Sequence, residues 1–153
     1  MTSPVAGTVR ALHSVPDRVF AEGMVGPGAA VEPVRTAVQH VLAPVDGVVA
    51  SLHPHAFAIR VSDDRSVLVH LGVDTVTLAG AGFETHVVAG QRVRAGERMV
   101  TWSPVDVAAA GLATICPVVA LQARPDEVTL LLEPGETVAA GQPLLEWAEP
   151  PVP

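Results

Sequence analysis

Apolar residues in this chain come in short runs separated by turn-forming clusters. The clearest run is Val67-Leu68-Val69-His70-Leu71-Gly72-Val73-Asp74-Thr75-Val76, aliphatic and β-favouring apart from one imidazole inside it. Just upstream, Ser51-Leu52-His53-Pro54-His55-Ala56-Phe57-Ala58-Ile59-Arg60-Val61 has a similar character. The polar insert between them, Ser62-Asp63-Asp64-Arg65-Ser66, reads as a hairpin turn. The pattern predicts two neighbouring strands, with His55 and His70 facing each other across them.

The same reading extends along the rest of the chain. Val19 to Pro33 reads as an apolar surface loop leading into a strand. Val34 to Val49 gives two strands with a turn at Pro44 to Gly47, and Thr75 to Leu78 a strand ending in the turn Ala79-Gly80-Ala81-Gly82. Only Pro104 to Ala113 has helical propensity, with the proline suited to a first helical turn.

Two pieces of sequence occur twice. Pro4-Val5-Ala6-Gly7-Thr8-Val9 recurs as Pro44-Val45-Asp46-Gly47-Val48-Val49. Gly90-Gln91-Arg92-Val93-Arg94-Ala95-Gly96, closing at Trp102, recurs as Gly135-Glu136-Thr137-Val138-Ala139-Ala140-Gly141, closing at Trp147. Paired glycines with a valine between them suggest a turn, a short strand and another turn. Two pseudo-equivalent halves around one core are expected, because a solenoid would need three or more copies.

Composition supports a filled β core. Of 153 residues, 49% are hydrophobic and 16% charged, which excludes a disordered chain. With three Phe, two Trp and no Tyr, the core must be aliphatic, and fourteen Pro and thirteen Gly suit short strands and tight turns over long helices. A single domain over residues 1–149 is expected, followed by a Pro-rich tail at 150–153. The formal charge of −7 and the absence of any basic run argue against nucleic acid or an anionic membrane as partner. The first residues show neither a basic region nor an apolar run, and no apolar segment is long enough to span a bilayer, so no signal peptide and no membrane insertion are expected. Cys116 has no internal partner, which fits a cytoplasmic location, and beside Pro117 it reads as a buried hydrophobe. His13, His40 and His86 read as ordinary surface residues.

His55-Ala56-Phe57, followed by His70-Leu71-Gly72-Val73-Asp74-Thr75-Val76, closely resembles the glucose-type IIA domain of the bacterial sugar phosphotransferase system. The resemblance runs in order through Val15 to Glu22, Val25-Gly26-Pro27-Gly28, Ala43 to Gly47, Gly82-Phe83, Gly90 to Val93 and Pro117-Val118-Val119, nearly the whole chain. It implies an all-β fold, a compact antiparallel β-sandwich or distorted barrel described in that family as a duplicated hybrid motif. It makes His70 the phosphoryl acceptor and His55 its neighbour, here assigned to stabilise the phosphoryl oxygens. It also implies docking through an apolar patch at Phe20, Met24, Val25, Leu68 and Val76, with Asp17 and Asp74 at the rim. The partners implied are the histidine-containing phosphocarrier protein as donor and a IIB domain of a membrane sugar permease as acceptor, with regulated enzymes or transporters as further candidates. His53 stands where relatives carry a threonine thought to orient a site imidazole.

The chemistry accounts for two histidines. A neutral imidazole is nucleophilic near neutral pH and holds a phosphoryl group in an N–P bond that transfers readily, and a second imidazole can donate a hydrogen bond to the phosphoryl oxygens. The chain has no nucleotide-binding glycine loop, so the expected donor is a phosphoprotein and no cofactor is required. No resident metal is required either, although zinc bridging His55 and His70 to a partner is open on sequence alone. Two alternatives come from other classes. His53-Pro54-His55 with His70-Leu71-Gly72-Val73-Asp74 offers the two elements used by a family of zinc endopeptidases, in reversed order. The other is a purely regulatory module whose partners read phosphorylation. A biotin or lipoyl carrier is excluded, since the chain contains no lysine.

Overall fold

The computed structural model describes residues 1–149; the Pro-rich segment 150–153 lies outside the described residues. The strands in chain order are β1 (Gly7–Ala11), β2 (Gly28–Pro33), β3 (Gln39–Leu42), β4 (Gly47–His53), β5 (Ala56–Ser62), β6 (Arg65–His70), β7 (Phe83–Thr85), β8 (Arg92–Val93), β9 (Arg98–Trp102), β10 (Cys116–Ala120), β11 (Val128–Leu130), β12 (Thr137–Val138) and β13 (Leu145–Trp147). Two short helices, α1 (Arg18–Ala21) and α2 (Pro104–Ala109), interrupt them. Every strand pairing is antiparallel.

The largest sheet has the order β12-β1-β2-β10-β6-β5-β4-β8, accompanied by a three-stranded sheet β3-β9-β7 and the pair β11-β13. The sheets are open, so the architecture is a sandwich and not a closed barrel.

The repeats become a pseudo-twofold arrangement. In β1 and β12, Gly7 opposes Val138, and in β4 and β8, Gly47 opposes Val93. Each copy of the Pro-Val-x-Gly piece therefore pairs with one copy of the glycine-flanked valine, and these pairs form the two edges of the large sheet. The outer pieces follow the same rule. Phe83 opposes Trp102 across β7 and β9, and Val128 opposes Trp147 across β11 and β13 at the same offset along the chain. The flanking glycines of both copies, Gly90, Gly96, Gly135 and Gly141, all adopt positive φ, the turn conformation expected of them.

The core is aliphatic as composition required. Val9, Val31, Val41, Val49, Ile59, Val67, Val69, Leu71, Val100 and Leu144 are buried around Phe57 and Trp102. Trp102 is buried with its Nε1–H donated to Gln39 Oε1 at 2.9 Å, so its polar atom is satisfied inside the core. A second, smaller buried cluster of Val15, Phe20, Ala30, Val73, Ile115 and Val119 lies outside this one, with Val25 and Leu68 packed against it.

Several expectations change in detail. The Ser51 to Val61 segment is not one strand: Pro54 and His55 form a two-residue turn between His53 and Ala56, which oppose each other in β4 and β5. Proline, with φ fixed and no N–H to give, breaks the ladder there. Thr75 to Leu78 is a 3₁₀ turn and not a strand. Its β-branched composition is overridden because Gly72 and Asp74 take positive φ, and the Thr75 and Thr77 hydroxyls bond back to the carbonyls of Leu71 and Asp74, each at 2.7 Å. The Val19 loop contains α1, capped by Asp17, whose Oδ1 accepts from the Val19 N–H at 2.9 Å. The Pro104 helix forms as expected, with Ser103 as its cap.

Gly47 tests the packing of the repeat. A β-carbon there would sit against the Arg60 carbonyl oxygen and within 2.7 Å of Ile59 Cγ2. Gly47→Ala should destabilise by about 1–3 kcal/mol through forced strand separation, read as a lowered urea midpoint; an unchanged midpoint would contradict the close approach.

Candidate functional site: a row of imidazoles

The site is assembled where β4, β5 and β6 end together. His70 is the last residue of β6 and directly opposes Ala56, the first residue of β5, so the ring next to Ala56 is brought beside it. That ring is His55, in the turn. Its position is fixed because its carbonyl oxygen accepts the Leu71 N–H at 2.7 Å. The imidazole centroids of His55 and His70 lie 5.2 Å apart, at an interplanar angle of 68°. The expectation of two neighbouring imidazoles thus holds in distance, although His55 comes from a turn and not from a strand.

Beyond His70 the chain reverses sharply. Gly72 has φ of 75°, a conformation that glycine reaches without strain, and a β-carbon there would lie 2.7 Å from both the Ala113 carbonyl oxygen and Thr75 Cγ2. The reversal returns the Gly72 carbonyl to His70, where Nδ1 donates to it at 2.6 Å. A carbonyl can only accept, so the proton is on Nδ1 and the Nε2 lone pair is free. The Val73 N–H donates to the Ala113 carbonyl at 3.0 Å and pins the reversal to the chain leading into β10. Cys116 lies buried beneath this turn, and burial pushes its thiol up to about 12, so it behaves as a small apolar residue.

Phe20 packs edge-on against His70, with centroids 5.4 Å apart. At 6% exposure its ring belongs to the smaller buried cluster and braces the imidazole from below. Met24 and Val76 are 68% and 62% exposed, Val25 and Leu68 are half-buried, and Val19, absent from the sequence-based set, is also exposed. Its register beside Asp17 in the cap of α1 was the signal available for it. Asp17 is tied up as that cap, and Asp74 is exposed at φ of 60°.

The protonation of His70 is a contest. Burial disfavours the charged ring, while the Gly72 carbonyl and the Asp17 and Asp74 carboxylates favour it; burial wins, and His70 is held below its ordinary value of 6.5. His55 is lowered too, first by burial, then by the neighbouring charges of His70 and His53. Neutral, nucleophilic rings near pH 7 are the result. His53 stands on the far side of His55, with centroids 5.7 Å apart.

Two clefts, of about 450 and 260 Å³, occur elsewhere, one around Arg65, Arg124 and Trp147 and one around Val38, Phe83 and Trp102. Neither is lined by His53, His55 or His70. Among the described residues, no three His, Cys, Asp or Glu side chains are grouped to hold a metal ion, and no helix is long and apolar enough to cross a membrane.

Residues 1–126 match the family described as phosphoenolpyruvate-dependent sugar phosphotransferase system, EIIA 1. The chain belongs to this family. It is 36% identical over 121 residues to a glucose-specific EIIA component from Bacillus cereus, covering 78% of this chain and 72% of that protein. It is 40% identical over 126 residues to a glucose-specific EIIBCA component from Corynebacterium glutamicum, covering 81% of this chain but 18% of that much longer protein. An N-acetylglucosamine-specific EIICBA component from Klebsiella pneumoniae matches over 95% of this chain and 22% of its own length at 36% identity. Among solved structures, glucose permease IIA from Mycoplasma capricolum superimposes with a TM-score of 0.78 at 33% identity, covering 90% of this chain and 92% of that one. The EIIA sandwich expected from sequence is the observed fold. The zinc-endopeptidase alternative receives no support from the family or from these relatives.

The lowered histidines give the EIIA chain a defined acid response. Neutral rings are favoured in the folded state, so below about pH 6.5 the unfolded state binds more protons and stability falls until the folded midpoints are passed. In urea unfolding between about pH 7 and about pH 5, His70→Gln should lose less stability than the wild type; equal losses would contradict the assigned direction.

Proposed function

We propose that this EIIA chain is a phosphocarrier: His70 Nε2 accepts a phosphoryl group from the histidine-containing phosphocarrier protein and passes it to the IIB domain of a sugar permease. The observation that carries this reading is the Nδ1–H bond to the Gly72 carbonyl at 2.6 Å, which leaves the other ring nitrogen as the nucleophile. As the Nε2–P bond forms, the donor's N–P bond breaks and its electron pair returns to the donor imidazole; in the second transfer His70 is the leaving group. His55, 5.2 Å from His70 between ring centroids, is positioned to donate a hydrogen bond to the phosphoryl oxygens, whose negative charge also favours the protonated form of that ring.

The surroundings fit a protein partner. The imidazoles are half-buried at the surface and outside both described clefts; exposed Val76 follows His70 in the chain, exposed Val19 and Met24 flank Phe20, whose ring meets His70, and Val25 and Leu68 pack against the same apolar cluster as Phe20. Phe20 serves the patch by holding His70, and Asp17 and Asp74 bring negative charge to its rim, complementary to a basic partner face. The IIB acceptor is supported by relatives whose names join B, C and A components in one chain. A cytoplasmic location belongs to the same reading, because both transfers are between proteins on that side of the membrane.

Incubated with phosphoenolpyruvate and the upstream phosphotransferase proteins, the chain should gain one acid-labile, base-stable phosphate. His70→Ala should gain none. His55→Ala should accept phosphate more slowly by about 10²–10³-fold, the usual loss of one transition-state donor. A His70→Ala variant that is labelled like the wild type would overturn the assignment.

A further inference from the structure

Two histidines outside the phosphoryl site converge on one atom. His40, on β3, directly opposes Thr101 on β9, and Thr101 in turn directly opposes Glu84 on β7. Residues paired in this way share a face of the sheet, and His86, two residues beyond Glu84, shares it too. Thr101 is half-buried and the other three are exposed, so this is the outer face, while their neighbours Val100 and Trp102 are buried in the core. His40 Nδ1 lies 3.0 Å and His86 Nε2 2.6 Å from the same oxygen, Thr101 Oγ1. We propose that His40, His86 and Thr101, joined by Glu84, form a binding site for a late first-row divalent metal ion, represented by zinc, which clips the three strands of the small sheet together.

The donor set decides the chemistry. A threonine hydroxyl has one proton, so one ring nitrogen donates to it and the other accepts from it. At an exposed position water would satisfy both rings equally well, and such bonds add little stability. Their consequence is geometric: two imidazole nitrogens and an oxygen, drawn from β3, β9 and the end of β7, are gathered at one place. Ligand atoms held at about 2.0–2.2 Å from zinc lie about 3–3.5 Å from one another. The 3.0 Å approach of His40 is already such an edge, and the 2.6 Å approach of His86 opens to one by a small rotation of its exposed ring. The same rotations turn both lone pairs onto an ion seated over the hydroxyl. Glu84 is in no salt bridge among the described residues, and its side chain is exposed and free to swing toward Thr101. It is not yet gathered with the histidines, in keeping with the lack of a preformed three-ligand group among the described residues. Two imidazoles with one carboxylate suit zinc and its neighbours over magnesium or calcium, which take oxygen ligands. Glu84 and Thr101 also line the 260 Å³ cleft, from which water fills a remaining position.

The site is independent of the phosphocarrier reading, and its test uses no phosphate. The chain is titrated with zinc chloride at about pH 7.5, where neutral imidazoles are available as ligands. Assigned imidazole signals are followed by heteronuclear NMR, after amide spectra confirm that each variant is folded. The His40 and His86 signals should move together, with a micromolar midpoint, and saturate; zinc taken up by His55 and His70 is read separately from their own signals. His86→Gln should abolish the response of His40, and Glu84→Gln should weaken it by about 10-fold or more. Because the ligands come from three strands, zinc should also raise the urea midpoint of the wild type by more than that of His86→Gln. His40 and His86 signals that stay in place, or that move only at millimolar zinc, would overturn the site. So would a His40 response that is unchanged in His86→Gln.

Discussion

The hydrogen bond from His70 Nδ1 to the Gly72 carbonyl governs the rest of the site. It requires the chain to turn back on itself within two residues of the end of β6, which in turn requires a residue able to hold φ of 75° against the Ala113 carbonyl. Glycine meets both demands. The same reversal lifts the following residues out of extended geometry, so that a β-favouring sequence becomes a 3₁₀ turn fastened by two threonine hydroxyls. One constraint on a ring nitrogen thus shapes the whole segment from Leu71 to Leu78.

The sandwich supplies rigidity to this bond. β6 is central in the large sheet, between β10 and β5, and its alternate residues Val67 and Val69 are fully buried. Phe20 and the smaller apolar cluster brace the histidine from the other side. The imidazole therefore stands on a stiff element at a strand end, while the residues around it are exposed enough to meet another protein. Burial is sufficient to keep the ring neutral against two carboxylates, yet leaves part of it open to solvent. This combination suits a group that must be nucleophilic in one encounter and a leaving group in the next.

Much of this was legible in the residues. The duplicated Pro-Val-x-Gly and glycine-flanked valine pieces pointed to two halves, and the register joins them copy to copy at the two sheet edges. The hairpin between β5 and β6 and the Pro104 helix followed from turn and capping chemistry. What could not be read was local and had tertiary causes. The reversal at Gly72 and Val73, from which the 3₁₀ turn follows, is pinned to a distant segment at Ala113, which no window of sequence contains. Phe20 was placed in the docking patch by the family resemblance alone; the single turn of α1 rotates it inward, against His70. The role of Pro54 in taking His55 off the strand was visible in principle, since proline interrupts a ladder wherever it falls.

The central claim is that the Gly72 carbonyl dictates which nitrogen of His70 reacts. Phosphorus–nitrogen coupling in ¹⁵N-histidine-labelled, phosphorylated protein tests it most directly. Phosphate on Nε2, with Nδ1 still protonated, is the result this account predicts; phosphate on Nδ1 would contradict it.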